Sequence, residues 1–93
     1  MIRTFADRAT EKVWHRERVA SLGDELQRAA QKKLRLLNAA SHLNSLRVPP
    51  GNRLEKLSGD RAGQYSIRVN AQYRICFTWS DGGADAVEIT DYH

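Results

Sequence analysis

Apolar and polar positions alternate most regularly in the last third of the chain. Tyr65, Ile67 and Val69 fall on one side of an extended run, with Ser66, Arg68 and Asn70 on the other. Tyr73, Ile75, Phe77 and Trp79 repeat the pattern against Arg74, Cys76 and Thr78, and a third run covers residues 86–90. Two such strands share a core only if paired residue numbers sum to an even value, because a slip of one residue turns every side chain over. A three-residue connection, Asn70-Ala71-Gln72, meets that condition and sets Arg68 opposite Arg74 on the face away from the core. Val87 and Ile89 join the apolar face by the same parity, and pairing Val87 with Trp79 sets Tyr92 beside Arg74. Two arginines facing each other destabilise a ladder. Either an anion binds there or both guanidinium groups splay into solvent, and the pattern favours neither.

Upstream the period becomes helical. Leu26, Ala30, Leu34 and Leu37 form a stripe from Asp24 to about Ala40, with Leu22 one turn ahead. Lys32, Lys33 and Arg35 are expected near its C-terminal end, where cations suit the helix dipole. Asp7 is expected to cap an earlier surface helix over residues 7–18, anchored by Val13 or Trp14. Residues 2–5 read as an edge strand, and Ala40, Leu43 and Leu46 as a short extra helical turn. Pro49-Pro50-Gly51-Asn52 forces a turning connection. Residues 53–57 read as a strand with Leu54 and Leu57 turned inward, followed by a turn at Ser58-Gly59-Asp60-Arg61. The order of elements predicts an α+β fold in one domain spanning residues 1–93. Its antiparallel sheet is covered on one face by helices, and the other face, with Arg68, Arg74 and Tyr92, is left open.

Charge sharpens this picture. The 93 residues carry a net charge of +4, but residues 75–93 contain four acids and no Lys or Arg. The basic side chains therefore lie ahead of an acidic tail, and a positive surface favours anionic partners, nucleic acid first. One cysteine, Cys76, excludes an internal disulfide and suits a reducing compartment. A lone cysteine in a strand reads as a small apolar filler. The first eight residues lack the apolar run of a signal peptide and no stretch approaches a membrane span, so a cytoplasmic location is expected.

Metal and nucleophile motifs are missing from the pattern. His15, His42 and His93 have no ligand spacing, and His15 and His42 are expected to be solvated. Neither a nucleophile elbow nor a Gly-rich phosphate loop is present. What remains is a set that could meet at one place: Arg53, Lys56, Arg68, Arg74, Tyr92 and His93. Such a set suits metal-free cleavage of RNA, whose own 2′-hydroxyl is the nucleophile. The protein must then stabilise charge on the phosphate, a task for guanidinium groups, and move protons, a task for histidine. Tyr92 could stack on a base. The same residues fit passive phosphate binding, and from chemistry alone that ranks first, because basic patches are commoner than nucleases.

Several strings carry a family resemblance. Pro49-Pro50-Gly51-Asn52-Arg53-Leu54-Glu55, Gly59-Asp60-Arg61-Ala62-Gly63, Tyr65-Ser66-Ile67-Arg68-Val69-Asn70, Tyr73-Arg74-Ile75-Cys76-Phe77 and Asp91-Tyr92-His93 together resemble the HigB group of the RelE-like toxins. The resemblance implies a RelE-like sheet of about four to five strands with two to three helices on one face. It implies a type II toxin, an endoribonuclease that needs no cofactor and cuts mRNA in the ribosomal A site. It also implies neutralisation by a HigA-like helix-turn-helix antitoxin, through which alone the toxin would meet operator DNA. Carried over by position, Arg74 stabilises the scissile phosphate, and Asp91, Tyr92 and His93 form the terminal catalytic group, with His93 or Asp91 moving protons. Arg68, Asn70, Arg53, Lys56 and Arg61 are the implied substrate-binding residues. The chain departs from many relatives at Ser58, where a lysine is usual, and from some at Glu55, where histidine stands. Parity puts Asp91 and His93 on the core side unless the last strand bulges or ends at Thr90, and an end at Thr90 is expected. Two other readings compete: a basic ribosome- or nucleic-acid-binding module without catalysis, and an interaction module serving mainly its antitoxin.

Overall fold

The computed structural model describes residues 1–91, so Tyr92 and His93 lie outside the described residues. Two α-helices come first, α1 (Arg8–Trp14) and α2 (Asp24–Ala39). Four strands follow: β1 (Glu55–Lys56), β2 (Tyr65–Arg68), β3 (Tyr73–Ser80) and β4 (Gly83–Asp91), in the spatial order β1-β2-β3-β4 and antiparallel throughout. Residues 2–5 do not form a strand. They run parallel to β4 through two single bridges, Ile2 to Ala84 and Phe5 to Val87. Arg3 fastens that edge, with its guanidinium 2.8 Å from both Asp85 Oδ2 and, were a Cβ added there, the Gly83 position. No helix among the described residues is long and apolar enough to cross a membrane.

The core lies between the helices and one face of the sheet. Ala30, Leu34 and Leu37 of α2 meet Ile67, Ile75, Phe77 and Val87, all fully buried. Leu26 is only half-buried at the end of the stripe. Asp7 caps α1 as expected, its Oδ1 accepting from Thr10 N at 2.9 Å. Val13, wholly buried, is the anchor of α1, and Thr10 Oγ1 ties the helix to β4 by accepting from Ile89 N at 2.9 Å.

Helix α1 stops at Trp14, four residues short of the expected end, and the reason is local. Arg16 takes a left-handed conformation with φ of 61°. Arg16 N and Glu17 N then donate back to Val13 O and Lys12 O, at 3.0 and 2.8 Å. This pair of bonds closes a helix end that normally carries glycine, so no residue type marks the stop there. Helix α2 runs on through Leu36 and Leu37, so Lys32, Lys33 and Arg35 sit inside it and no base occupies its last turn. Lys33 Nζ instead donates to Oδ1 of the buried Asn52, whose Nδ2 donates to the carbonyls of Leu46 and Val48. Burial pulls the Lys33 pKa down, with Lys32 adding to the effect.

The β2–β3 register is the one expected from parity, with Tyr65 opposite Phe77, Ile67 opposite Ile75 and Arg68 opposite Arg74. The β3–β4 register is not. Trp79 pairs with Ala84 rather than Val87, and Thr90, not Tyr92, stands opposite Arg74. A two-residue turn, Asp81-Gly82, with φ of 49° and 73°, joins these strands. Two positive φ values mark the hairpin turn that Asp-Gly favours. That turn imposes pairs summing to an odd number, Ser80 with Gly83, whereas the core demands an even sum. A β-bulge settles the conflict. Ala86 (φ 52°) and Val87 together oppose Phe77, after which Cys76 pairs with Glu88 and Ile75 with Ile89. The last strand does not end at Thr90. It continues to Asp91, which pairs with Tyr73.

Candidate active site

The second face of the sheet carries Ser66, Arg68, Arg74, Cys76, Glu88 and Thr90, since paired residues project to the same side. It is less open than expected. Ser66 and Cys76 are fully buried and Arg74 is 8% exposed. Leu57 is also buried but stands outside the core cluster, which only Leu54 joins. Arg61, from the turn after β1, reaches Glu88 Oε1 on β4 at 3.2 Å and Gln64 Oε1 at 3.0 Å. Its side chain therefore spans from the connection to the far strand.

Arg74 is held from several sides. Its Nε donates to Ser66 Oγ at 2.7 Å, and one terminal nitrogen donates to the carbonyl of Arg53 at 2.6 Å. The other lies 3.8 Å from Glu55 Oε1. Glu55 pairs with Ser66 in the ladder, which puts its half-exposed carboxylate on the Arg74 face. Arg53 contributes its backbone oxygen because Pro50-Gly51-Asn52 forms a tight turn and Arg53 follows it with φ of 45°. Strained non-glycine residues of this kind gather where a fold must aim a group. The guanidinium is thus fixed by a hydroxyl, a carbonyl and a carboxylate before any ligand arrives.

The two arginines do not confront each other. Arg68 turns to the hairpin and donates from Nε to Asn70 O at 2.9 Å, while Arg74 turns toward β1. The Asn70 side chain works for the turn itself, its Oδ1 accepting from Gln72 N at 2.8 Å and Tyr73 N at 2.7 Å. Lys56 is opposite Tyr65 and so projects from the core face of the edge strand, not beside Arg74. Asp91, opposite Tyr73, is likewise on the core side, where Oδ2 accepts from Gln72 Nε2 at 3.0 Å. Arg53 is exposed and enters the site by its carbonyl. Of the expected residues, the described structure brings together Arg74, Arg68 and the Arg53 backbone, keeps Arg61 on the same face in an ion pair, and separates Lys56 and Asp91 from them. Tyr92 and His93 fall outside the described residues.

Two groups were missed by sequence reasoning. Ser66 looked like any outward polar position, and Glu55 was noted only as a departure. Ser66 shares the parity of Arg74 and could have been found by it, whereas Glu55 is an odd position that reaches this face only through the odd-sum pairing of β1 with β2. Cys76 lies between Arg61, Glu88 and Arg74, and burial pushes its thiol pKa up against the smaller opposing pull of Thr90 and Arg61. His15 and His42 are exposed, as expected. Among the described residues no group of three or more His, Cys, Asp or Glu side chains could hold a metal ion.

Comparison with known proteins identifies the family and the fold. A family model described as a RelE-like toxin of type II toxin-antitoxin system HigB matches residues 3–93. Toxin HigB-1 of Vibrio cholerae serotype O1 is 42% identical over 81 residues, which cover 86% of this chain and 85% of that protein. Endoribonuclease HigB of Proteus vulgaris is 44% identical over 41 residues, 44% of this chain and 45% of its own. Among solved structures, a YoeB-YefM complex from Staphylococcus aureus contains a similar fold, with a TM-score of 0.62 at 16% identity over 100% of this chain and 98% of that one. A YoeB/ParE toxin from Agrobacterium tumefaciens gives 0.56 at 18% identity over 99% and 98%.

Proposed function

The chain belongs to the HigB-like group of RelE-like toxins of type II toxin–antitoxin systems, and from that premise we propose that it is a metal-independent endoribonuclease acting on mRNA in the ribosomal A site, neutralised by a HigA-like antitoxin. The observation that carries the reading is the fixed Arg74 guanidinium beside Arg68 on the sheet face away from the helices. In the proposed step the RNA 2′-oxygen forms a bond to phosphorus and the bond from phosphorus to the 5′-oxygen breaks. The 2′-hydroxyl loses its proton and the leaving oxygen gains one. Negative charge grows on the phosphate as this happens, and a cation that needs no rearrangement stabilises it best. Arg74 has that character, and Arg68 at the hairpin would hold the neighbouring phosphate. Tyr92 and His93 are proposed as the proton-moving group, and Arg53, Arg61 and Asn70 as contacts along the substrate; Asp91 and Lys56, which project from the core side of the sheet, are left out. The ribosome would hold mRNA in the strained conformation that 2′-attack requires, a positioning effect that can supply several orders of magnitude in rate.

A second reading has one observation in its favour: Arg74 is so enclosed that it also suits a structural role in a binding module without catalysis. One experiment separates the readings. Purified protein is added to translating ribosomes and to the same message naked, and mRNA ends are mapped. The proposal expects codon-phased breaks on ribosomes only, lost in Arg74→Lys with circular dichroism unchanged. Intact message with stalled growth supports the binding module, and no toxicity on solitary expression supports a module serving mainly its antitoxin. Equal cutting of naked and ribosome-bound RNA overturns the ribosome requirement.

A further inference from the structure

The outer side of α2 carries a cationic surface. A shallow cavity of about 430 Å³ is lined by Arg16, Gln27, Arg28, Gln31, Lys32 and Arg35, four cations and no acid. Arg28, Lys32 and Arg35 recur at helical spacing on the face opposite the buried Ala30, Leu34 and Leu37, and all three are exposed. Like charges one turn apart oppose helix formation; Asp24, one turn before Arg28 and paired with Arg18, adjoins one end of the stripe, and no acid lines the stretch around Lys32 and Arg35.

Arg16 is added to that stripe by construction. Gln27 Nε2 donates to Glu17 O at 2.6 Å and Gln27 Oε1 accepts from Val19 N at 2.9 Å, so α2 grips the connection that follows α1. The grip holds Arg16 against α2 in a left-handed conformation that disfavours any side chain. Two independent costs, charge repulsion and backbone strain, therefore meet on one surface. A ligand of opposite charge relieves the repulsion, while the backbone conformation serves to aim the Arg16 side chain.

The shape of the surface narrows the ligand. From Arg28 to Arg35 the helix rises about 10 Å, long enough to meet several successive phosphates of one duplex strand. The lining contains no aromatic ring on which unpaired bases could stack. Base-paired RNA, met through its phosphates, is the polyanion that fits. Helix α2 covers the core face of the sheet while Arg74 occupies the other, so one phosphate cannot touch both.

We infer that Arg16, Arg28, Lys32 and Arg35 form a second RNA-contact site for the phosphate backbone of base-paired RNA, on the opposite side of the protein from Arg74. This site is independent of cleavage and stands whether or not the Arg74 face cuts RNA. A blunt-ended RNA duplex of about 16 base pairs, the span typical of duplex-RNA-binding domains, is titrated with the full chain at several salt concentrations. Replacing Arg28, Lys32 and Arg35 together by alanine removes three phosphate contacts. The slope of log affinity on log salt is then expected to fall by about 2.7, equivalent to about 40-fold between about 50 and 200 mM salt. Should the triple variant fail to fold, Lys32→Gln alone is expected to lower the slope by about 0.9. Arg47→Gln, at an exposed cation outside both faces, is expected to leave slope and affinity unchanged. An unchanged slope in the α2 variants, or an equal fall in Arg47→Gln, overturns the inference. Equal affinity for single-stranded RNA overturns the choice of duplex. Competition by polyglutamate at equal charge concentration would make this a surface for acidic protein, which also overturns it.

Discussion

Replacing Ser66 by alanine removes one oxygen from a fully buried position. That oxygen accepts from Arg74 Nε at 2.7 Å, and Arg74 is 8% exposed, so water has little room to take its place. A hydrogen bond to a charged group contributes about 1.5–3 kcal/mol, and an orphaned buried donor puts the loss toward the upper end of that range. A chain of this length has a total stability of about 5–14 kcal/mol. With a urea slope of about 1–3 kcal/mol per molar, the denaturation midpoint should fall by about 1 M. The Arg53 carbonyl still holds one terminal nitrogen, so Arg74 stays near its place but loses its orientation. Misplacement on the ångström scale costs about 100-fold in rate. Ribosomal mRNA cleavage by Ser66→Ala is therefore expected to lose kcat by about 10- to 100-fold, with KM little changed. Because Ser66 acts through Arg74, the same change made in an Arg74→Lys background should add almost nothing. A parental urea midpoint with parental cleavage would refute the premise that Ser66 positions the arginine.

Arg16→Gly should raise stability by about 0.5–1 kcal/mol, since relief of the left-handed conformation outweighs the freedom that glycine adds to the unfolded chain; a lower melting temperature would show that Arg16 is not strained. Cys76 titrates above its ordinary value when folded, so its contribution is complete below the unfolded thiol pKa and is lost as pH rises through the folded one. Urea midpoints should thus fall from pH 8 upward more steeply for the parent than for Cys76→Ala, and parallel curves would rule this out; the comparison also cancels Lys33, whose lowered pKa acts in the opposite direction.

The fold was legible wherever a periodic pattern and a turn agreed. The β2–β3 pairing follows residue for residue from two alternating runs and a short connection. The α2 stripe and the Asp7 cap follow from side-chain chemistry alone. Helix α1 was overextended because an arginine, not a glycine, closes it. The site divides in the same way. Facing arginines are fixed by register, so Arg68 and Arg74 could be read from the sequence. The Arg53 contribution is a carbonyl, which no side-chain pattern can announce. Arg61 counted as a free cation until Glu88, 27 positions later, turned out to be its partner.

The bulge at Ala86 links these observations. Without its extra residue, the register set by the Asp81-Gly82 turn would persist along β4, and pairs would keep summing to 163 as Ser80 and Gly83 do. Arg74 would then face Ile89, and Cys76 would face Val87, so two apolar side chains would lie on the guanidinium face. Glu88 would stand opposite Ile75, inside the core, where an unpaired carboxylate is strongly unfavourable. The inserted residue reverses all three at once. It returns Val87 and Ile89 to the helices, and it sends Glu88 and Thr90 to the face where Arg61 and Arg74 wait. The polar setting of Arg74 is therefore decided by a backbone irregularity twelve residues away in the chain, at an alanine with no chemistry of its own.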